Sequence, residues 1–287
     1  MKQPTYIRQR YLLEFIAALP DKGISRTNLQ KLVFLDEQYS GIFYYDFVPY
    51  KYGPYSFLLD NDIDVLCNHF YIRKNMQKIY IDGFIPSKNL SLLVASERGD
   101  DLLRKTYREY PYYAINSTIL NKLFKASEVQ GIFNGNKYII NSSDDVLFTI
   151  GYEGKSLEAF INILLQNRIN LLCDVRKNPF SRKFGFSQSK LKTILPKVGI
   201  KYINISALGI ESEKRIFLNN IEDYKNLFLD YEKSLPYKME YIEMLYELFL
   251  HEHRIALMCY EKSPEMCHRN IISKYLVKMY NVKTINL

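Results

Sequence analysis

Apolar positions repeat at helical spacing near the start of the chain. Tyr11, Leu12, Phe15, Ile16 and Leu19 fall on one face, and Pro20 with Gly23 stops the run. Ile24-Ser25-Arg26-Thr27 then opens a second helix, with Ser25 or Thr27 placed to cap it and Leu29, Leu32, Val33 and Phe34 as its apolar face. Two helices joined by a short Gly-containing turn open a helix-turn-helix. Residues 46–57 are aromatic, are punctuated by Gly53-Pro54, and read as a loop or turn. Helical spacing returns over 60–70, strand alternation over 77–83 would supply a wing, and 96–110 predicts a further helix. The pattern predicts a winged-helix-like α+β domain over 1–140.

Turn residues gather at Asn134-Gly135-Asn136 and again from Asn141 to Asp145, which predicts a linker near 135–145. Beyond it strands and helices alternate. Strands are predicted at 146–152, 169–175, 201–205, 254–260 and 283–286, and helices at 157–165, 187–198 (closed by Gly199) and 267–279. A long helical insertion at about 213–251 separates the third strand from the fourth. Alternating βα units imply an α/β domain over 146–287, a mostly parallel sheet flanked by helices.

Composition supports this reading. A length of 287 residues suits about two domains at ~150 residues each. Apolar residues at 47% and charged residues at 24% exclude a disordered chain. The apolar runs are far shorter than the ~18–20 residues a membrane span needs, so no membrane partner is expected. Arg8, Arg10 and Glu14 interrupt any apolar core in the first twenty residues, so none of these reads as a signal peptide. Cys67, Cys173, Cys259 and Cys267 are spaced too irregularly for a disulfide framework, and a cytoplasmic location is expected. The abundance of Lys, Asn, Ile and Tyr without Trp reads as codon bias, not chemistry. Net charge changes the picture more. It is +8, and the 173–201 stretch alone carries +7, with eight basic residues against Asp174. An acidic partner is expected, nucleic acid or a nucleotide.

In an open α/β sheet, ligands bind beyond the carboxyl ends of the strands. The first predicted strand ends in Gly151, Tyr152, Glu153 and Gly154, and the second in Asp174 and Arg176, followed by Ser181, Arg182 and Lys183. The third is followed by Ser206, Leu208 and Gly209. The fourth ends in Cys259, Tyr260 and Glu261, leading to Cys267-His268-Arg269 at a helix start. Polar groups thus collect at one edge of the sheet.

Three of these stretches carry a resemblance: Thr149 to Gly154, Cys173 to Pro179, and Cys259-Tyr260-Glu261 with Cys267-His268-Arg269. Over roughly 147–287 the chain resembles the bacterial family known as domain of unknown function 488, which implies an α/β domain and a shared site but no established activity. Through 29–34 and 50–54, the first part more loosely resembles winged-helix-like domains of phage- and toxin–antitoxin-associated proteins.

Each candidate has two readings. Asp174 and Arg176 point to the same side of extended backbone, so they could pair with each other; otherwise Asp174 is a general acid or base and Arg176 an anion clamp. Gly151 serves a turn or lets a ligand approach. Glu261, Glu153 and His268 are the further acid/base candidates, while Gly151, Tyr152, Ser181, Arg182, Lys183 and Arg269 join Arg176 as candidates for holding a phosphate. The loop 176–186 interleaves four basic residues with Phe180, Phe184 and Phe186; it suits a single-stranded nucleic acid or is a solvated loop anchored by its aromatics. Cys259 reads as a buried apolar residue. His251, His253, Cys259 and Cys267 lack the short paired spacing of structural zinc sites, so neither metal nor cofactor is expected. The expectation is an enzyme acting on nucleic acid or a nucleotide, phosphodiester or N-glycosidic hydrolysis fitting best. The alternatives are a non-catalytic regulator sensing a small anion and an interaction module of a phage-defence or toxin–antitoxin system.

Overall fold

A computed structural model describes residues 4–19, 23–75, 78–81, 98–133, 144–215 and 221–287. The chain divides into two compact units, Met1–Tyr138 and Ile139–Leu287. The linker expected near 135–145 lies mostly outside the described residues.

The first unit opens with α1 (Ile7–Ala18) and α2 (Arg26–Ser40). Ser25 caps α2, its hydroxyl accepting the Asn28 N–H at 3.1 Å, and Gly41 ends it at φ +69°, a left-handed conformation that costs glycine little. The 46–57 segment is not a plain loop. It holds an antiparallel hairpin of β1 (Val48–Tyr50) and β2 (Gly53–Tyr55). Strands of three residues, one of them proline in each, are too short to show a period of two. Next come α3 (Phe57–Asn68), the two-residue strands β3 (Arg73–Lys74) and β4 (Ile79–Tyr80), α4 (Gly99–Glu109), and the short helices α5 (Leu120–Leu123) and α6 (Ala126–Phe133). Strands β3 and β4 pair antiparallel, and Ile24 bridges to Ile79. Of the expected wing over 77–83, Gln77, Asp82 and Gly83 lie outside the described residues. Leu12 and Phe15 of α1, Leu29, Leu32 and Phe34 of α2, and Leu59 and Ile63 of α3 form one buried core. Burial of each such side chain contributes about 1.5–3 kcal/mol.

The second unit is α/β. Its elements are β5 (Val146–Gly151), α7 (Leu157–Gln166), β6 (Leu171–Asp174), α8 (Gln188–Ile194), β7 (Lys201–Asn204), α9 (Ile221–Ser234), α10 (Met239–Glu252), β8 (Arg254–Cys259), α11 (His268–Tyr280) and β9 (Thr284–Asn286). Five strands form one sheet in the order β7-β6-β8-β5-β9, every pair parallel. Strands β5, β6 and β8 are buried along their whole length, which is why they read as continuous apolar runs. Alternate residues Leu171 and Cys173 of β6 and Ile255 and Leu257 of β8 join one core with Tyr231 and Leu235, Ile242, Leu245 and Phe249 of α10, and Ile272 of α11.

The described residues of 213–251 are helical, as expected, and the segment carries the chain from one strand to the next. The chain leaves β7 at one edge of the sheet and re-enters at β8, in its interior. Parallel strands can be joined only by a crossover. Helix α10 is that crossover, with Ile242 and Leu245 fully buried. No helix of the described residues is long and apolar enough to cross a membrane.

Strand order also locates a crevice. After β6 the chain runs outward to the edge strand β7; after β8 it runs the other way, to β9. The adjacent ends of β6 and β8 are therefore a topological switch point, where loops diverge and leave room for a ligand.

Candidate functional site

A cleft of about 270 Å³ opens at that point, lined by Tyr152, Arg176, Lys177, Asn178, Phe180, Ile210, Ser212, Cys259, Tyr260, Glu261 and His268. It is assembled by two close backbone approaches. Gly151 ends β5 directly beneath the turn after β8, where a Cβ would lie 1.8 Å from the Glu261 carbonyl oxygen. At the opposite wall a Cβ on Gly209 would lie 2.2 Å from the Lys177 nitrogen. Both glycines are there because backbone meets backbone.

Arg176 and Asp174 pair. The Arg176 Nε donates to Asp174 Oδ1 at 2.8 Å and Nη2 to Oδ2 at 2.6 Å, with both side chains buried. The Tyr202 hydroxyl donates to Oδ2 at 2.7 Å, and the Arg176 N–H to Oδ1 at 3.1 Å. Burial alone would lower the Arg176 pKa, but the Asp174 carboxylate outweighs it and raises it. The remaining guanidinium donors reach the Tyr152 hydroxyl at 2.9 Å and the Phe186 carbonyl at 2.9 Å. Arg176 thus ties the basic loop to the sheet, and Tyr152 stacks on Phe186 with ring centroids 4.3 Å apart. Of the two readings of Asp174, this geometry is the paired one. The carboxylate sits behind Arg176 and does not line the cleft.

Arg269 is likewise engaged with the protein. Its Nη1 donates to the Glu261 carbonyl at 2.6 Å and Nη2 to the Lys262 carbonyl at 3.1 Å, pinning the connection between β8 and α11. Glu153 is exposed and outside the cleft, its carboxylate accepting the Lys262 N–H at 2.8 Å. The Ser181 hydroxyl accepts the Lys183 N–H at 3.2 Å, and Lys183 Nζ donates to the Tyr152 carbonyl at 3.1 Å. Arg182 is exposed on the same loop. Of the sequence candidates, Tyr152, Arg176, Glu261 and His268 line the cleft; Asp174, Gly151, Glu153, Ser181, Arg182, Lys183 and Arg269 surround it.

Two cations line the cleft, Arg176 paired with Asp174 and Lys177 with its Nζ 2.6 Å from Glu211. Burial first, and then Lys262, Arg269 and Lys183, lower the Lys155 pKa. Burial followed by Lys177 does the same to Lys238, which lies in a neighbouring groove. Phe180, 70% exposed, and Tyr260, 47% exposed, stand at the rim. A larger groove of about 600 Å³ along α9 is lined by Glu211, Asp223, Asp230, Lys214 and Lys238, with neither thiol nor imidazole.

Sequence reasoning missed Cys259 and Tyr202. Cysteine at a strand end looks like an ordinary apolar residue, yet the Cys259 thiol faces His268 in the cleft floor, with Sγ 3.7 Å from Nδ1. Tyr202 shows no signal because its contact depends on β7 lying beside β6.

Residues 156–276 match the family model described as domain of unknown function DUF488. The matched segment runs from the Ser156 cap of α7 into α11, so it holds every cleft-lining residue except Tyr152. No curated protein and no solved structure matches the chain.

Proposed function

We propose that the second unit is an enzyme acting on nucleic acid or a nucleotide. The observation that carries this reading is a cleft with two exposed rings, Phe180 and Tyr260, above a floor bearing Glu261 and His268, beside a loop that presents the exposed Arg182. Cations bind phosphate and aromatic faces stack on bases. A volume of about 270 Å³ suits one nucleotide-sized moiety, with any remaining polymer on the basic loop. Glu261 is the acid/base group of this reading, and phosphodiester or N-glycosidic hydrolysis fits it best. The helix pair α1–α2 and the β3–β4 ribbon make the first unit a winged-helix-like recognition module in the same reading.

Titration of labelled single-stranded oligonucleotides and free nucleotides across salt concentrations tests binding. Affinity should fall steeply with salt, and Arg182→Ala with Lys183→Ala should weaken binding and flatten that dependence. Glu261→Gln should bind normally and slow turnover by about 10²–10⁴. Absence of binding at low salt overturns the proposal. Binding without turnover favours the second reading, a sensor of a small anion, which the engagement of Asp174 by Arg176 and Tyr202 supports.

A further inference from the structure

The floor of the cleft holds three donor atoms of one chemical kind. His268 Nε2 lies 2.9 Å from the Val175 carbonyl oxygen. A carbonyl can only accept, so in the neutral ring Nε2 carries the proton and Nδ1 presents its lone pair. That nitrogen faces two sulfurs, Cys259 Sγ at 3.7 Å and Cys267 Sγ at 3.9 Å, and all three atoms lie within 4.8 Å of one another.

We infer that Cys259, Cys267 and His268 form a binding site for a soft divalent metal ion, with zinc the ion the donors fit best. Two thiolates and an imidazole select zinc over magnesium or calcium. In a tetrahedral zinc centre, with Zn–S about 2.3 Å and Zn–N about 2.0–2.1 Å, sulfur and nitrogen sit about 3.6 Å apart. The distances here need contract by only a few tenths of an ångström. A ring N–H held by a backbone carbonyl is the usual support of a metal-binding histidine. Tyr231 packs edge-on against the imidazole at 5.5 Å, fixing its plane.

Local structure supports a thiolate at Cys267. Cys267 is the N-cap of α11, where helix amides favour negative charge. Arg269 holds the intervening turn closed through two carbonyls, which brings residues eight apart in sequence to one point. That is why a search for short paired cysteine spacings passes the site over. Cys259 and His268 also line the cleft, as does Glu261, which gives the ion an entry path. This inference goes beyond the nucleic-acid reading and stands without it.

The full chain, reduced, stripped with chelator and desalted, is titrated with cobalt(II) and then zinc. One equivalent should bind, with thiolate-to-cobalt charge-transfer absorption that zinc displaces. Cys259→Ser and Cys267→Ser should each lose that absorption and weaken zinc binding at least about 100-fold, whereas Cys67→Ser should keep both. At a hundredfold excess over its Kd, zinc should raise the Tm by about 5–10 °C. A measurement on the unsubstituted protein covers variants that fail to fold: zinc should protect two thiols from alkylation. Reduced protein that binds no stoichiometric metal, or binding that survives both serine substitutions, overturns the inference. So does a protein that takes up no metal while peroxide joins Cys259 to Cys267, which would make the cluster a redox pair.

Discussion

Asp174 and Arg176, separated by one residue, close a two-bond ion pair at 2.8 and 2.6 Å beneath the cleft. Both are buried, and Tyr202 completes the carboxylate's hydrogen bonding at 2.7 Å. Removing one partner of such a pair strands the other charge in a poorly solvated place, at a cost of about 3–5 kcal/mol. Asp174→Asn should therefore lower the Tm by about 10 °C or more. Tyr202→Phe should cost roughly 1–3 kcal/mol, since only one hydrogen bond to the carboxylate is lost. Thermal melting checks both; an Asp174→Asn protein that melts like its parent would refute the structural role.

Gly151 tests the architecture of the switch point. A Cβ there meets the Glu261 carbonyl oxygen at 1.8 Å and the Lys262 Cα at 3.2 Å, both backbone atoms. Gly151→Ala should destabilise the second unit by about 2–3 kcal/mol or more, because β5 and the turn after β8 must separate. Gly154 makes the control. Its φ of +75° is left-handed, but its Cβ would enter open space, so Gly154→Ala should cost only about 1 kcal/mol. Denaturant midpoints of the two variants give the comparison.

Arg269 should prove a brace. Arg269→Ala removes the donors to the Glu261 and Lys262 carbonyls, each bond worth about 1.5–3 kcal/mol as one to a charged group. The expected result is a lower Tm and new protease sensitivity within 260–266. Unchanged cleavage kinetics would argue against the brace.

The first unit should show a pH dependence of its own. Burial, with Asp36 and Asp46 adding to it, raises the Glu37 carboxyl from its ordinary 4.5 to about 8, although the Tyr44 and Tyr45 amides donate to it and work the other way. The folded state thus binds a proton that the unfolded chain releases between these values. Its stabilising contribution is complete below about 4.5 and is lost as pH rises through 8. Glu37→Gln keeps an acceptor for both amides and cannot ionise, so it should flatten the decline over that window. Urea unfolding at a series of pH values, followed for both proteins, checks the sign.

What the sequence determined was local or periodic. Apolar runs at 146–151 and 254–259 announce strands buried on both faces, because only a parallel sheet covered by helices conceals every side chain of a strand. Ser25 and Ser156 mark helix starts through a bond to an amide three residues on. Tertiary structure decided everything that depended on strand order. It set β6 beside β8, pairing Leu171 with Ile255, 84 positions further along the chain, and so formed the cleft between their ends. It made α10 the crossover that this order requires. Tyr202 beside Asp174, and Cys259 beside His268, are meetings across elements. No one-dimensional pattern records them, because side-chain contacts across a sheet are set by register and crossover geometry, not by spacing along the chain.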